Sequence, residues 1–323
     1  MVDLSVRLGA LTLRNPVLVA AGTFGYGVEF SRALRLDQLG ALVTKTLTRH
    51  PREGHPPPRL VETPSGLLNA VGLQNLGLER FLAEKLPTLA KADVPVIVSV
   101  LGDTVEDVAW LCGSLNREDA VAAVELNLSC PNLKSGSKFQ VSSFEGKRET
   151  RNLKPETCRM VAQDADATEA MVKTARAATR KPLIAKLSPD VTDLTPIAQA
   201  AERAGADALT LGNTFVGMSL DPATRRSRLG ALTGGLSGPA IRPLAVYRVW
   251  YTAKIVHIPI IGLGGIVRTG DALEFILAGA TAISIGTANF ANPRAALDVL
   301  RGLERYCRRH HLSSLDAIRG VIN

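Results

Sequence analysis

Eight short apolar runs, separated by segments with helical periodicity, constrain the fold of this chain most strongly. Several runs are continuous in Val, Ile, Leu and Ala rather than alternating, which is typical of strands buried on both faces of a parallel sheet. The predicted strands are Val17–Ala20, Ala41–Thr44, Val96–Val100, Ala123–Leu128, Leu183–Leu187, Ala208–Leu211, Ile258–Gly262 and Ala282–Gly286. A βα order repeated eight times predicts a closed (β/α)₈ barrel.

The segments around these runs fit the same architecture. Ser5–Leu8 and Leu11–Leu13 flank Gly9-Ala10, which predicts an N-terminal β-hairpin that closes the barrel floor. A length of 323 residues suits one barrel domain spanning residues 1–323. The predicted helices include Val105–Leu115, Asp166–Ala178, Leu194–Ala204, Pro239–Ile255 and Thr269–Ala278.

One segment, residues 133–158, breaks the regular pattern. It is rich in Gly, Ser, Lys, Arg and Glu and has no sustained apolar periodicity. It is longer than the roughly 12–15 residues beyond which loops without secondary structure become uncommon. Because it follows the fourth predicted strand, we expect an extended active-site loop there, acting as a lid or a docking surface.

Composition narrows the class of protein. The net charge of +8 would suit a nucleic acid, an anionic substrate, a phosphate-bearing cofactor or an acidic partner protein. The charge is spread along the chain, which favours an ordinary basic surface over a nucleic-acid interface. No apolar run is long enough for a membrane span, and the N-terminus lacks the pattern of a signal peptide. Four scattered cysteines without a CxxC pair predict neither a zinc site nor disulfides, so we expect a cytoplasmic protein.

The residues at the predicted strand ends carry the chemistry, because barrel active sites form at the C-terminal ends of the strands. The fourth strand runs into Asn127-Leu128-Ser129-Cys130-Pro131-Asn132, which holds a thiol between amides. The second and fifth strands lead to Lys45 and Lys186, and a lysine directed into a barrel mouth is costly unless it meets an anion or a polar ligand. Asn69 and Asn213-Thr214 add amides and a hydroxyl.

Glycines follow the last two strands. Gly262-Leu263-Gly264-Gly265 and Gly286-Thr287-Ala288 stand where (β/α)₈ barrels usually bind phosphate through backbone N–H groups. The small residues of Ala20-Ala21-Gly22 would let a flat ring approach the first strand end. No metal-ligand cluster is apparent, and these glycines predict a phosphate site. Beside a bound phosphate-bearing redox cofactor, a cysteine such as Cys130 can act as the proton-transfer partner.

At this point the chain resembles the class 1 dihydroorotate dehydrogenases over nearly its whole length. Gln74 after Gly72-Leu73, together with Thr23-Phe24-Gly25, resembles the B-type, NAD-linked branch rather than the fumarate-linked branch. The motifs that carry the resemblance are Ala21-Gly22-Thr23-Phe24-Gly25, Thr44-Lys45, Asn69-Ala70-Val71-Gly72-Leu73-Gln74-Asn75, Asn127-Leu128-Ser129-Cys130-Pro131-Asn132, Lys186-Leu187-Ser188-Pro189, Asn213-Thr214, Gly235-Leu236-Ser237-Gly238-Pro239-Ala240 and Gly286-Thr287-Ala288-Asn289-Phe290.

The resemblance implies FMN in a TIM barrel and the oxidation of (S)-dihydroorotate to orotate in pyrimidine synthesis. In it, Cys130 resembles the base that takes the C5 proton while hydride leaves C6 for flavin N5. Lys186 would stabilise reduced, anionic flavin at its N1–O2 edge. The implied substrate contacts are Lys45, Asn69, Ala70, Val71, Gly72, Leu73, Asn127, Asn213 and Thr214. The implied FMN contacts are Ala21, Lys45, Thr46, Ser99, Asn127, Lys186, Gly212, Gly238, Gly264, Gly265, Gly286 and Thr287.

The resemblance also implies partners. B-type relatives pass electrons to a separate subunit that holds FAD and an iron–sulfur cluster and reduces NAD⁺, and a homodimer is expected. The chain has too few cysteines for a cluster of its own, which fits a catalytic subunit. It departs from the family pattern at Ala21, where Ser is common, at Ser99, where Asn is common, and at Gly212, where a larger residue is common. The 133–158 loop is also longer than usual.

Three other interpretations stay open from the sequence. The pyrimidine-reducing domain of dihydropyrimidine dehydrogenases shares Asn-Leu-Ser-Cys-Pro, but the Asn69–Asn75 stretch matches the dihydroorotate side. A dihydrouridine synthase acting on RNA is another FMN barrel with a catalytic cysteine, but its motif differs and it needs an RNA-binding domain. A barrel that serves as an inactive scaffold is disfavoured by intact Cys130, Lys45 and Lys186.

Overall fold

The computed structural model describes residues 2–30, 34–129 and 161–322. Within them, eight parallel strands form a closed barrel and follow one another around it in chain order, the eighth pairing with the first. This confirms the predicted fold class: three strands have the predicted bounds, and the other five differ by one or two residues. The barrel strands are Val17–Val19, Ala41–Val43, Val96–Val100, Ala123–Asn127, Leu183–Leu187, Ala208–Leu211, Ile260–Leu263 and Ala282–Ile285.

The N-terminal hairpin closes one end of the barrel, as predicted. Val6–Leu8 pairs antiparallel with Leu11–Leu13. Leu8 and Leu13 are fully buried and belong to one apolar cluster with inward residues of the barrel strands, such as Ile97. Since apolar side chains fill this floor, the C-terminal ends of the strands are left to form a site.

Helices cover the outside of the barrel. Thr104 caps the helix that begins at Val105 by accepting from the Asp107 N–H group. None of the described helices is long and apolar enough to cross a membrane. The α-helices are Leu78–Glu84, Leu86–Leu89, Val105–Asn116, Ala165–Ala178, Thr195–Arg203, Arg242–Thr252, Thr269–Leu277, Ala288–Ala291 and Ala295–Arg309, and the 3₁₀ turns are Val28–Phe30, Leu36–Gln38, Val161–Gln163, Pro239–Ile241 and Leu315–Ile318.

A four-stranded antiparallel sheet, which the sequence did not reveal, lies at the C-terminal end of the barrel. Leu60–Thr63, Gly66–Asn69, Gly234–Ser237 and Phe215–Gly217 pair in that spatial order. The Gly- and Asn-rich residues 62–75 and 234–240 predict loops, and this prediction is wrong where these strands run. A further short hairpin pairs Leu220–Asp221 with Arg226–Ser227. The sheet joins the insertion after the second barrel strand to the insertion after the sixth.

Two sequence predictions fall outside the described part of the chain. These are the catalytic role of Cys130 and the extended loop at residues 133–158.

Candidate active site

A cleft of about 1190 Å³ opens at the C-terminal ends of the barrel strands, with the antiparallel sheet as one wall. Its lining combines residues from both insertions with residues from the barrel strand ends. Most of the predicted site residues line it, namely Ala21, Lys45, Thr46, Asn69, Val71, Leu73, Asn127, Lys186, Asn213, Thr214, Gly238, Gly264, Gly265, Gly286 and Thr287.

Two predicted site residues, Ser99 and Gly212, lie behind the lining rather than in it. Ser99 is fully buried, and its Oγ lies 3.0 Å from Thr46 Oγ1, so it supports a lining residue. Gly212 adopts a φ of +138°, and a Cβ there would lie 2.0 Å from the carbonyl oxygen of Leu263. A side chain at this position would therefore clash with the Leu263 backbone, which accounts for glycine where the family commonly has a larger residue.

Ala70 and Gly72 also lie outside the lining. Ala70 is fully buried in a small apolar cluster with Leu68 and Leu229. Gly72 has a φ of +70°, and a Cβ there would lie 2.6 Å from the His55 backbone nitrogen. Both residues shape the segment that carries Val71 and Leu73 to the cleft.

Two lysines lie in the cleft. Lys186, on the fifth strand, is only 4% exposed and pairs in register with Asn127 on the fourth strand. Burial lowers the pKa of Lys45, and the positive charge of Arg59 lowers it further, while Glu29 opposes the shift. A buried ammonium whose charged form is disfavoured gains most from an anionic ligand, so this end of the cleft suits a carboxylate or an anionic ring.

The cleft amides are held by hydrogen bonds. Asn127 Nδ2 donates to Thr46 Oγ1 at 2.9 Å, and Asn69 Nδ2 donates to the carbonyl oxygen of Gly235 at 3.0 Å. Asn213 Nδ2 donates to Ser129, a buried residue just before Cys130. Amides fixed in this way recognise the polar edges of a planar heterocycle by complementary hydrogen bonds.

Glycines form a second part of the site. Gly238, Gly264 and Gly265 have φ values of +96°, +136° and +73°, which L side chains rarely adopt. The backbone N–H groups of Gly264, Gly265 and Thr287 donate no backbone hydrogen bond to any described residue outside regular helices and strands. We call Gly238, Gly264, Gly265 and Thr287 the glycine turn. Backbone N–H groups in such a turn suit a phosphate, so the residues present fit a phosphate-bearing cofactor.

Sequence reasoning missed the apolar part of the lining. It includes Leu60, Leu67, Ile241, Ile266, Val267 and Phe290. The side chains of Leu60, Val267 and Phe290 are about half exposed and line the same cleft, and an exposed apolar patch of this kind marks a site that a ligand or partner covers. Only Phe290 had a signal in the sequence, as the last residue of the motif that begins at Gly286.

The described cysteines are not part of the cleft. Cys112 and Cys307 are both fully buried in the main core. Burial raises the pKa of the Cys112 thiol to about 12 and also raises that of Cys307. Both are therefore inert structural thiols at neutral pH.

Fold and cleft together define an α/β-barrel protein with a ligand site at the C-terminal ends of its strands. The model of the family described as dihydroorotate dehydrogenase matches residues 3–307. The relatives found include proteins named "Dihydroorotate dehydrogenase B (NAD(+)), catalytic subunit". The protein from Pelobacter propionicus is 46% identical over 99% of this chain and 98% of its own length. The protein from Bacteroides thetaiotaomicron is 45% identical over 100% and 99%.

The chain therefore belongs to the dihydroorotate dehydrogenase family of oxidoreductases. This confirms the resemblance seen in its motifs. The family is generally flavin-dependent. The relatives are named as catalytic subunits, which implies that each works with another subunit.

Proposed function

We propose that this chain is the catalytic subunit of an NAD-linked dihydroorotate dehydrogenase, oxidising (S)-dihydroorotate to orotate with FMN in pyrimidine synthesis. The whole chain, residues 1–323, then serves as one FMN-binding barrel domain. The observation that carries the proposal is the composition of a single cleft. It joins two buried or half-buried lysines and three amides to a glycine turn, whose N–H groups donate no backbone hydrogen bond outside regular helices and strands in the described part of the chain.

The glycine turn is the proposed phosphate end of the FMN site. Gly238, Gly264, Gly265 and Thr287 would hold the phosphate through backbone N–H groups, and Lys186 would lie beside the ring system. When bound, FMN supplies a two-electron acceptor for the substrate. The buried ammonium of Lys186 favours negative charge close to it, because few other groups screen it there.

The amides and Lys45 form the proposed substrate end. Dihydroorotate is a cyclic imide with a carboxylate, so it offers ring N–H donors, carbonyl acceptors and one negative charge. Lys45 would hold the carboxylate, while Asn69, Asn127 and Asn213 would hold the ring edges. Fixed amides orient the ring so that its two reacting carbons meet the base and the cofactor from opposite sides.

Cys130 is the proposed base that removes the proton from C5. It lies outside the described residues, but the described chain reaches Ser129, immediately before it, at the amide cluster. A thiolate accepts a proton without forming a covalent bond to the ring, and the hydrogen at C6 leaves with its electron pair.

The proposed partner is a subunit with FAD and an iron–sulfur cluster that passes electrons to NAD⁺. The names of the relatives support an NAD-linked catalytic subunit, and the four cysteines of this chain are too scattered to hold a cluster. The same names favour dihydroorotate over the substrates of pyrimidine reductases and dihydrouridine synthases.

Turnover with an artificial electron acceptor tests the proposal. FMN-loaded protein should convert dihydroorotate to orotate, measured by orotate absorbance, and should leave dihydrouracil and RNA dihydrouridine unchanged. Turnover of either of the latter, with none of dihydroorotate, would contradict it. NAD⁺ should replace the artificial acceptor only after the partner subunit is added.

A further inference from the structure

Ser129 links two amides of the cleft, Asn127 at the end of the fourth strand and Asn213 just after the sixth. It is fully buried and does not line the cleft itself. Its hydroxyl accepts from Asn213 Nδ2 at 2.8 Å and donates to Asn127 Oδ1 at 3.3 Å. Its carbonyl oxygen also accepts from Asn213 Nδ2, at 3.0 Å. Ser129 therefore touches both amides from behind, over a sequence separation of 84 residues to Asn213.

Contacts with backbone groups identify which end of the Asn213 amide is the nitrogen and which is the oxygen. The Thr214 N–H group can only donate, and it lies 2.8 Å from Asn213 Oδ1, so that atom must be oxygen. The Ser129 carbonyl can only accept, so the atom facing it must be the amide nitrogen. The two hydrogens on Asn213 Nδ2 then have two acceptors on Ser129. Among the described residues, these contacts leave Asn213 only a lone pair on Oδ1 for a ligand.

Asn127 has the opposite polarity toward the cleft. Its Oδ1 accepts from the Ser129 hydroxyl and, at 3.4 Å, from the Ser129 N–H group. One hydrogen on its Nδ2 is taken by Thr46 Oγ1 at 2.9 Å. The other hydrogen has no acceptor among residues 2–30, 34–129 and 161–322, so it is the group that Asn127 keeps for a ligand.

We propose that Ser129 is a positioning residue that sets the hydrogen-bonding polarity of the substrate site. It makes Asn213 present an acceptor and Asn127 present a donor. The substrate class this selects is a ring that offers an N–H group toward Asn213 and a carbonyl oxygen toward Asn127, as one edge of a cyclic imide does. The proposal rests on the proposed function for the ligand's identity, but not for the orientation of the amides.

Loss of the hydroxyl should relax this selection. In Ser129→Ala, one Asn213 hydrogen loses its acceptor, and Asn127 Oδ1 keeps only the longer hydrogen bond from the backbone N–H group of residue 129, so both amides gain freedom to rotate. A site built around a hydrogen bond rejects an analogue that lacks the hydrogen-bonding group. The site loses this discrimination when its own donors and acceptors are free to rotate. We expect orotate to bind about ten-fold more weakly, which corresponds to about 1.4 kcal/mol.

The binding test compares orotate with 1-methylorotate and 3-methylorotate on FMN-loaded protein by calorimetry. Wild type should bind the analogue whose methyl group faces Asn213 more weakly than orotate. In Ser129→Ala, the ratio of the orotate affinity to the affinity for this analogue, called the preference below, should fall by about ten-fold. Ser129→Cys, which keeps a weak donor, should fall between the two and serves if the alanine variant does not fold. Ser114→Ala removes a buried hydroxyl on an outer helix and should leave the preference unchanged. Equal preferences in all four proteins would overturn the proposal.

A second measurement needs no ligand from the proposed function. Hydrogen exchange of the Asn213 side-chain amide is followed by NMR on FMN-loaded protein, with the resonance pair assigned from its loss in Asn213→Asp. Both hydrogens should exchange slowly in wild type, and one should exchange at least ten-fold faster in Ser129→Ala. Failure of wild type to bind orotate would contradict the proposed function alone. Unchanged exchange in Ser129→Ala would contradict the role of Ser129.

Discussion

Asn127 and Lys186 lie opposite each other in register on the fourth and fifth barrel strands, and both are more than nine-tenths buried. Paired residues on neighbouring strands point to the same face of a sheet, so the amide and the ammonium enter the cleft side by side. A fixed donor and a positive charge at one strand end suit a ligand that becomes more negative during its reaction.

Replacing Lys186 by methionine should make flavin reduction harder while FMN remains bound through the glycine turn. Without the buried positive charge, we expect the two-electron midpoint potential to fall by about 60 mV, or about 2.8 kcal/mol. Spectroelectrochemical titration measures this potential directly. Lys173→Met, which removes an exposed charge on an outer helix, is the matched control. A potential equal to that of wild type would show that Lys186 does not act on the flavin.

The affinity for orotate should depend on pH through Lys45. Burial lowers the pKa of Lys45 in the free protein, and a bound carboxylate raises that pKa again. Binding therefore takes up a proton between the two pKa values, and the affinity falls as pH rises through that range. Calorimetry in buffers of different ionisation enthalpy measures the uptake. Lys45→Arg carries a group that does not titrate, so its affinity should be independent of pH there; a retained dependence would assign the proton elsewhere.

The glycine turn should lose FMN when a side chain is added at Gly265. Its φ of +73° is strained for alanine, and the new Cβ would lie 2.7 Å from Arg242 Cβ. Gly265→Ala should cost about 1–3 kcal/mol of stability and weaken FMN binding at least ten-fold. Gly270→Ala is the control, because its Cβ would meet nothing within 4 Å. Fluorescence titration of apoprotein with FMN separates the two, and equal affinities would remove Gly265 from the phosphate site.

Cys130→Ser should slow flavin reduction by dihydroorotate and leave FMN binding unchanged. A serine hydroxyl is a much weaker proton acceptor than a thiolate, so we expect a loss of about 10²–10⁴ in the reduction rate. Stopped-flow absorbance gives that rate, and the flavin content gives FMN binding. Cys112→Ala changes a buried thiol away from the cleft and should keep the wild-type rate. If Cys130→Ser loses FMN to the same extent as activity, Cys130 is structural.

The barrel was predictable because its strands are continuous apolar runs, such as Val96–Val100, whose residues are all buried. The antiparallel sheet was not, because Leu60–Thr63 has only four residues, includes a charged one and contains no continuous apolar run of the barrel-strand kind. Such a short strand is defined by its partners, and Asn69 pairs with Gly235, far along the chain. Such a pairing between distant segments cannot be predicted from the residues next to each strand.

The site residues also divide into those that the sequence could predict and those that it could not. Lys45 and Lys186 could be placed because strand ends in a barrel converge on one face. The role of Ser129 could not be found in this way, because it depends on Asn213 contacting it from another strand. The apolar lining at Ile241 and Ile266 was hidden because apolar residues there are indistinguishable from core residues.

The reduction of bound flavin by dihydroorotate, without any other electron acceptor, tests the central claim most directly. FMN-loaded protein is mixed anaerobically with excess dihydroorotate, and the flavin absorbance near its visible maximum is followed. We predict rapid and complete bleaching, with one orotate formed for each FMN reduced. Flavin that stays oxidised in protein with full FMN content would contradict the assignment of this cleft to dihydroorotate oxidation.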